Sequence, residues 1–166
     1  MDKSLLPYNL TLQQLADLES AVYEFWVSFT VVMMVLLLIG RSMLEIGLLK
    51  AKFSRHVAVK NIFQIVISCF CFFAVGNAVS TDAFGGFYGS KPYFASGYSS
   101  NRDFSNLVLI FVACWHCVSV ASCSLAERTR ISVHNALAVL VSSLVFPVVA
   151  SWSWGGGWLA QRNFLD

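Results

Sequence analysis

Charged residues are scarce in this chain of 166 residues: Lys, Arg, Asp and Glu make up only 12% of it, against about 25% in an average soluble domain. The net charge is +2, which leaves no basic stripe for phosphate groups and excludes a nucleic-acid-binding protein. Apolar residues reach 57% and the mean hydropathy is +0.68. A soluble chain of this size cannot bury so much apolar surface. The composition therefore predicts a membrane protein.

A disulfide framework is also lacking, because the cysteines stand inside apolar runs and not in loops. They are predicted to be buried small hydrophobic residues. The spacing of Cys114-x-x-Cys117 is that of a redox-active or metal-binding motif, but no second pair of cysteines accompanies it. The five cysteines are Cys69, Cys71, Cys114, Cys117 and Cys123.

Catalytic motifs are absent as well. The chain has no Ser, His and Asp in the order of a catalytic triad, no paired carboxylates at membrane depth and no cluster of metal ligands. We therefore predict no enzyme, no metal and no cofactor. Haem ligation by His116 is a weaker alternative. It would need a second histidine at the same depth in the membrane, and His134 lies at a different depth. A neutral His116 hydrogen-bonded to a neighbouring helix is the preferred interpretation.

Long apolar runs dominate what remains. Four stretches reach the roughly 20 residues that a membrane-spanning helix needs, and backbone groups in lipid must be satisfied within a helix. The fold class is therefore all-α, with a polar N-terminal lead at 1–24 that precedes a membrane domain at 25–166. Thr11-Leu-Gln-Gln14 fits a capping box, so a helix is expected to begin there and run into the first span. The predicted spans are 25–49, 57–79, 106–125 and 131–152.

Basic residues give the orientation of these spans. Six of them fall in the loops after spans one and three, and four fall on the opposite side. The positive-inside rule then places the N-terminus outside, in either a plasma membrane or a mitochondrial inner membrane. The first group is Lys50, Lys52, Arg55, Lys60, Arg128 and Arg130; the second is Lys3, Lys91, Arg102 and Arg162.

Three motifs, in this order along the chain, resemble the ammonium transporter family (Amt, Mep and Rh proteins). The first is Leu44-Glu45-x-Gly47-x-x-x-x-Lys52 followed by Lys60-Asn61, and the second is Ser122-Cys-Ser-Leu-Ala126-Glu127-Arg128. The third and most specific is Pro147-Val-Val-Ala-Ser-Trp152-Ser-Trp154-Gly155-Gly156-Gly157-Trp158-Leu159. The resemblance covers about 31–166 and implies the arrangement of that family's first four helices.

The resemblance also implies roles for individual residues. Trp154 matches a tryptophan of an external vestibule, where its ring can attract ammonium by a cation–π contact, and Asp166 matches an aspartate that supports this recruitment site. Charged groups at span ends are usually paired, so Glu45 and Arg128 are candidates to pair with one another. The remaining motif residues are predicted to be structural: Gly47, Lys60, Asn61, Glu127, Trp152, Gly156 and Trp158.

The chain departs from the family pattern at the positions that make a pore. The two phenylalanines that close the outer mouth in the family are Leu109 and Ala113 here, and the histidine before the tryptophan pair is Ser151. The family's later helices, which carry twin pore histidines, have no counterpart in this sequence.

Two functions are therefore expected from different classes. The first is a structural or accessory subunit of a multi-subunit membrane complex that does not conduct by itself. The alternative is a component of a working ammonium or ammonia channel whose other helices come from another chain. In both cases the partners are the lipid bilayer and other membrane subunits, and ammonium is a substrate only if further helices complete the pore.

Overall fold

The protein is almost entirely helical in the computed structural model, which describes residues 12–81, 83–84, 88–89, 93–96, 98, 101–125 and 129–162. Within these ranges, four helices are long and apolar enough to cross a bilayer. This confirms the predicted all-α membrane protein with four spans. The chain is an integral, multi-pass membrane protein.

The first helix, α1, extends over Leu12–Leu48, which is 37 residues. At 1.5 Å per residue it is about 55 Å long, whereas the hydrocarbon core of a bilayer is about 30 Å thick. Its polar first turns therefore project beyond the apolar layer. The boundary drawn at residue 25 between lead and membrane domain falls inside this continuous helix and stays a prediction.

Two of the other three spans contain a wider π-helical turn. The second span, α2, and the fourth, α4, each begin as regular helix, pass through five π-helical residues and end as regular helix. The third span, α3, is regular throughout, and a short helix, α5, follows α4. The bounds are Ala51–Cys71, Phe72–Gly76 and Asn77–Ser80 for α2; Asn101–Cys123 for α3; Ile131–Leu140, Val141–Val145 and Phe146–Ser153 for α4; and Trp158–Gln161 for α5.

The two π-helical segments pack against each other at Gly76. A Cβ atom at this position would lie 2.5 Å from the backbone oxygen of Ser142 and 2.8 Å from the Phe72 ring. Only glycine permits so close an approach of two backbones. The glycine therefore brings α2 and α4 together.

The direction of the helices defines two ends of the bundle. Tyr23 of α1 hydrogen-bonds Asn106 of α3, and farther along both helices Arg41 donates to the backbone oxygen of His116 over 3.4 Å. Thus α1 and α3 run the same way, and α2 and α4 return. We call the end near Ser80, Asn101 and Ser153 the loop end, and the opposite end the basic end.

The apolar core lies between α2, α3 and α4. Phe72, Cys114, Phe146 and Ala150 form its buried centre, against which Phe111 packs. The Phe72 ring centroid is 6.0 Å from that of Phe111 and 6.4 Å from that of Phe146. These separations are typical of stabilising aromatic pairs.

The connection between α2 and α3 carries a small antiparallel hairpin at the loop end. Strand β1 is Ala83–Phe84 and strand β2 is Tyr88–Gly89, with Ala83 opposite Gly89 and Phe84 opposite Tyr88. A 3-10 turn at Tyr93–Ala95 follows. The connection between the second and third spans therefore contains a pair of short strands.

Candidate functional site

A buried ion pair lies at the basic end. The Nζ atom of Lys60 on α2 is 2.5 Å from Oε1 of Glu45 on α1, and the side chains are only 2% and 6% exposed. Asn61 donates from Nδ2 to the other carboxylate oxygen over 3.2 Å. Buried charges require such pairing, because desolvation strongly penalises an isolated one. The pair fixes α1 against α2.

The same network continues through α3 into α4. Lys60 also donates to Oγ of Ser122 over 3.1 Å, and this hydroxyl is 2.9 Å from Nδ1 of His134. Nε2 of His134 is 2.9 Å from Oγ1 of Thr129. Each of the four spans thus contributes a side chain, and both ring nitrogens of His134 have a protein partner. A fully satisfied polar network of this kind specifies how helices pack.

Glu45 pairs with Lys60, while its expected pairing with Arg128 stays a prediction, because Arg128 lies outside the described residues together with Glu127. One expectation about these residues is wrong. Lys60 is not a surface residue of a basic loop, because α2 already begins at Ala51 and the Lys60 residue is 1% exposed. Lys60 was counted with the basic residues of that loop, although it falls within the predicted span at 57–79.

The surroundings of His116 differ from the prediction that its side chain hydrogen-bonds a neighbouring helix. Its Nδ1 atom is buried and has no hydrogen-bond partner among the described residues. Of the five cysteines, only Cys114 is buried within this chain, while Cys69 and Cys117 are exposed. The two exposed cysteines lie where α2 and α3 turn part of their surface away from the other helices.

The loop end holds an open cavity of about 780 Å³ between α1, α3 and the end of α4. Trp154 lies in its wall, and its expected place in a vestibule stays a prediction. Ala113 and Leu109, which the resemblance aligns with two phenylalanines, line it too. Nearby Phe111 points into the core instead. The cavity is therefore unobstructed by aromatic side chains from these positions.

Polar groups surround this cavity. Its described lining includes the side chains of Thr30, Asn77, Tyr98, Asp103, Asn106 and Trp154. The Tyr98 hydroxyl is 2.8 Å from Nδ2 of Asn77, which fixes the loop onto α2. Sequence reasoning missed Asp103 and Asn77 here, although polar residues at the ends of apolar spans are candidates for functional sites.

The remaining motif residues have structural surroundings. Trp152 and Trp158 meet edge to face, with ring centroids 6.2 Å apart. Gly156 has a φ of +75°, which glycine adopts without strain and which turns the chain after α4. Gly47 has open space around it on α1. Asp166 lies outside the described residues.

Comparison with known proteins identifies the family. A family model described as Ammonium Transporter Family matches residues 24–166. The chain is 34% identical over 130 residues to the ammonium transporter Amt2 of Archaeoglobus fulgidus, which covers 76% of this chain and 27% of that protein. It is 26% identical over 157 residues to putative ammonium transporter 1 of Caenorhabditis elegans, covering 89% of this chain and 29% of that protein.

The fold agrees with these sequence matches. The solved structure of a Sensor Amt Protein superposes on this one with a TM-score of 0.82 at 21% identity, covering 88% of this chain and 39% of that chain. The chain therefore spans about a third of the length of the relatives it matches. From its sequence match and its fold together, the chain belongs to the ammonium transporter family.

Proposed function

We propose that this four-helix unit does not conduct ammonium by itself and serves as a structural, accessory part of a larger membrane assembly. The observation that carries the proposal is the floor of the loop-end cavity. Ala150 lines the cavity and also belongs to the packed core with Phe72, Cys114 and Phe146. Beyond this core lies the buried pair of Lys60 and Glu45. A charged ammonium ion entering the cavity would meet apolar packing and then a buried ion pair whose two charges already neutralise each other.

Uneven burial supports the assembly part of the proposal. In α1, the buried residues are Val27, Leu38 and Glu45, so most of this long helix faces outward. Its exposed aromatic residues, Phe25, Trp26 and Phe29, stack on one another near the loop end. Such a surface fits lipid or further helices. Other membrane subunits are the partners proposed here.

A flux measurement tests the proposal. The purified chain, reconstituted into liposomes, is expected to take up labelled methylammonium no faster than empty liposomes. The Amt2 protein of Archaeoglobus fulgidus, reconstituted in the same way, is the comparison protein. Saturable uptake by the chain alone would overturn the proposal.

The alternative is a component of a conducting channel whose other helices come from another chain. The exposed Trp154 in the wall of an open cavity favours it, because its ring can attract a cation before entry. Crosslinking followed by mass spectrometry of the native membrane identifies the partners. If the isolated complex takes up methylammonium and Trp154→Leu lowers that uptake, the channel component replaces the accessory subunit.

We further propose that the N-terminus lies outside. With Lys60 buried, the basic end still has five basic residues, against four on the opposite side. The host is a plasma membrane or a mitochondrial inner membrane. A tag at the N-terminus is then expected to be cleaved by protease added to intact cells or mitoplasts, and its protection would reverse this orientation.

A further inference from the structure

An arginine lies inside the first membrane span. Arg41 stands seven residues before the last residue of α1 and is half-buried. Its Nη1 atom donates to the backbone oxygen of His116 over 3.4 Å, and His116 stands seven residues before the last residue of α3. At 1.5 Å per residue, the contact therefore lies about 10 Å inside the ends of both helices. This depth puts the positive charge within the apolar part of the spans.

The charge of Arg41 has no acidic partner in the part of the chain that the structure describes. A guanidinium carries several N–H donors and a permanent positive charge, whereas its acceptor here is a neutral carbonyl. The nearest acidic residue along α1 is Glu45, which already holds Lys60 and Asn61. Charged groups within spans are costly unless they are paired. Arg41 therefore requires an anionic group from outside the four spans.

Arg41 borders a seam on the outward side of α1, which we call the α1 seam. Exposed apolar or small residues recur along it at alternating intervals of four and three residues, the heptad spacing of a helix that packs along another helix. They are Met33, Leu37, Gly40, Leu44 and Gly47. Among the described residues, no neighbouring helix lies within 4 Å of a Cβ atom at either glycine, so a second helix can approach closely there. Arg41 follows Gly40 at the heptad position where charges select the partner helix.

We propose that the α1 seam docks a membrane-spanning helix of another protein, which carries an Asp or Glu within its span and pairs it with Arg41. The inference rests on the assembly proposed above and names the chemistry of the partner. A second copy of this chain does not supply the carboxylate, because Glu45 is the only acidic residue in the basic-end half of the described spans and is already paired. A lipid phosphate belongs to the headgroup layer outside the apolar core, whereas a carboxylate on a helix can lie at the depth of Arg41.

Synthetic helices test the charge of the partner. The full chain is reconstituted in phosphatidylcholine liposomes with one of three Leu/Ala peptides that span the bilayer and differ only in a central Glu, Gln or Lys. Association is measured by energy transfer between a dye on the chain and a dye on the peptide. We expect the Glu peptide to bind at least about 10-fold more tightly than the Gln peptide, equivalent to 1.4 kcal/mol, and the Lys peptide to bind most weakly. Equal binding of the Glu and Gln peptides would overturn the proposal.

Variants of the chain locate the site. Arg41→Gln is expected to remove the preference for the Glu peptide, and Arg41→Glu to transfer the preference to the Lys peptide. Gly40→Leu fills the seam and should weaken the Glu and Gln peptides alike. The matched control Arg130→Gln changes an exposed arginine that precedes α4 and should retain the preference. Circular dichroism checks that all four variants are folded. A preference that persists in Arg41→Gln, or that Arg130→Gln loses equally, would refute the site.

Disulfide crosslinking gives the position of the bound helix independently. The Glu peptide receives one cysteine a helical turn from its Glu, and copper phenanthroline is the oxidant. Cys117 is exposed on α3 next to His116 and lies within electrostatic range of Arg41. We expect the crosslink at Cys117 and not at Cys69, which is exposed on α2. A crosslink that forms preferentially at Cys69 would place the peptide on another face and refute the α1 seam.

The other possible occupants are outcomes that overturn the proposal. Energy transfer between copies of the chain that disappears in Arg41→Gln would assign the seam to a second copy. Retention of phosphatidylglycerol that depends on Arg41, without a preference for the Glu peptide, would assign the charge to a lipid phosphate. Methylammonium uptake by the chain alone would overturn the accessory role and leave the peptide preference unchanged, so the two proposals fail separately.

Discussion

Polar side chains have opposite surroundings at the two ends of the bundle. At the basic end, Glu45, Lys60, Ser122 and His134 come from four different spans and satisfy one another in a closed network. At the loop end, Asp103 and Trp154 face an open cavity of about 780 Å³. Polar groups that satisfy one another hold helices together, whereas the loop end leaves an open space between its helices. The comparison thus separates a stabilising end from an open end.

Removing one charge of the ion pair should lower the free energy of unfolding more than any other change considered below. Glu45→Gln keeps the shape of the side chain but leaves the Lys60 ammonium buried without a counter-charge. Loss of one partner of a buried pair destabilises a protein by about 3–5 kcal/mol. The measurement is the free energy of unfolding in mixed micelles titrated with sodium dodecyl sulfate.

Two further variants control this prediction. Glu19→Gln changes an exposed carboxylate of α1 and should lie within about 0.5 kcal/mol of the parent. The double variant Glu45→Met with Lys60→Met removes both charges and should recover most of the stability. A stable Glu45→Gln protein would show that the basic end is not the stabilising end.

Filling the close contact at Gly76 should have an intermediate effect on the free energy of unfolding. Gly76→Ala places a methyl group 2.5 Å from the Ser142 oxygen, so α2 and α4 must separate, at a cost of about 1–3 kcal/mol. Gly40→Ala is the matched control, because open space surrounds Gly40 and alanine stabilises a helix by about 0.5–1 kcal/mol. Thermal unfolding of both variants provides the test, and a Gly76→Ala protein as stable as Gly40→Ala would contradict the close packing.

The loop end should show the smallest effect on stability. Trp154 is 57% exposed, so Trp154→Leu should change the free energy of unfolding by no more than about 0.5 kcal/mol. The same titration with sodium dodecyl sulfate measures it. A loss of more than about 2 kcal/mol would show that Trp154 stabilises the fold and would remove the contrast between the two ends.

Much of the fold was predictable, because the bilayer restricts a spanning chain to few solutions. The four apolar runs gave the helices, although α3 begins at Asn101, five residues before the predicted start. The vestibule role of Trp154 stays a prediction, although its residue lines the loop-end cavity. The sequence did not predict the partner of Glu45, since Lys60 looked like a loop residue. Asp103 was missed because a carboxylate in the first turn of a helix is ordinary by itself.

What the amino-acid sequence determined alone is the membrane class, the number of spans and the family, because these depend on composition and on residues close together in the chain. The tertiary structure decided that Lys60 meets Glu45 and Ser122 rather than solvent, that Gly76 lies against Ser142, and that Asp103 shares a cavity with Trp154. These contacts depend on how separate helices rotate and approach each other. Hydropathy measures how apolar each helix is, and leaves open which of its faces meets which neighbour.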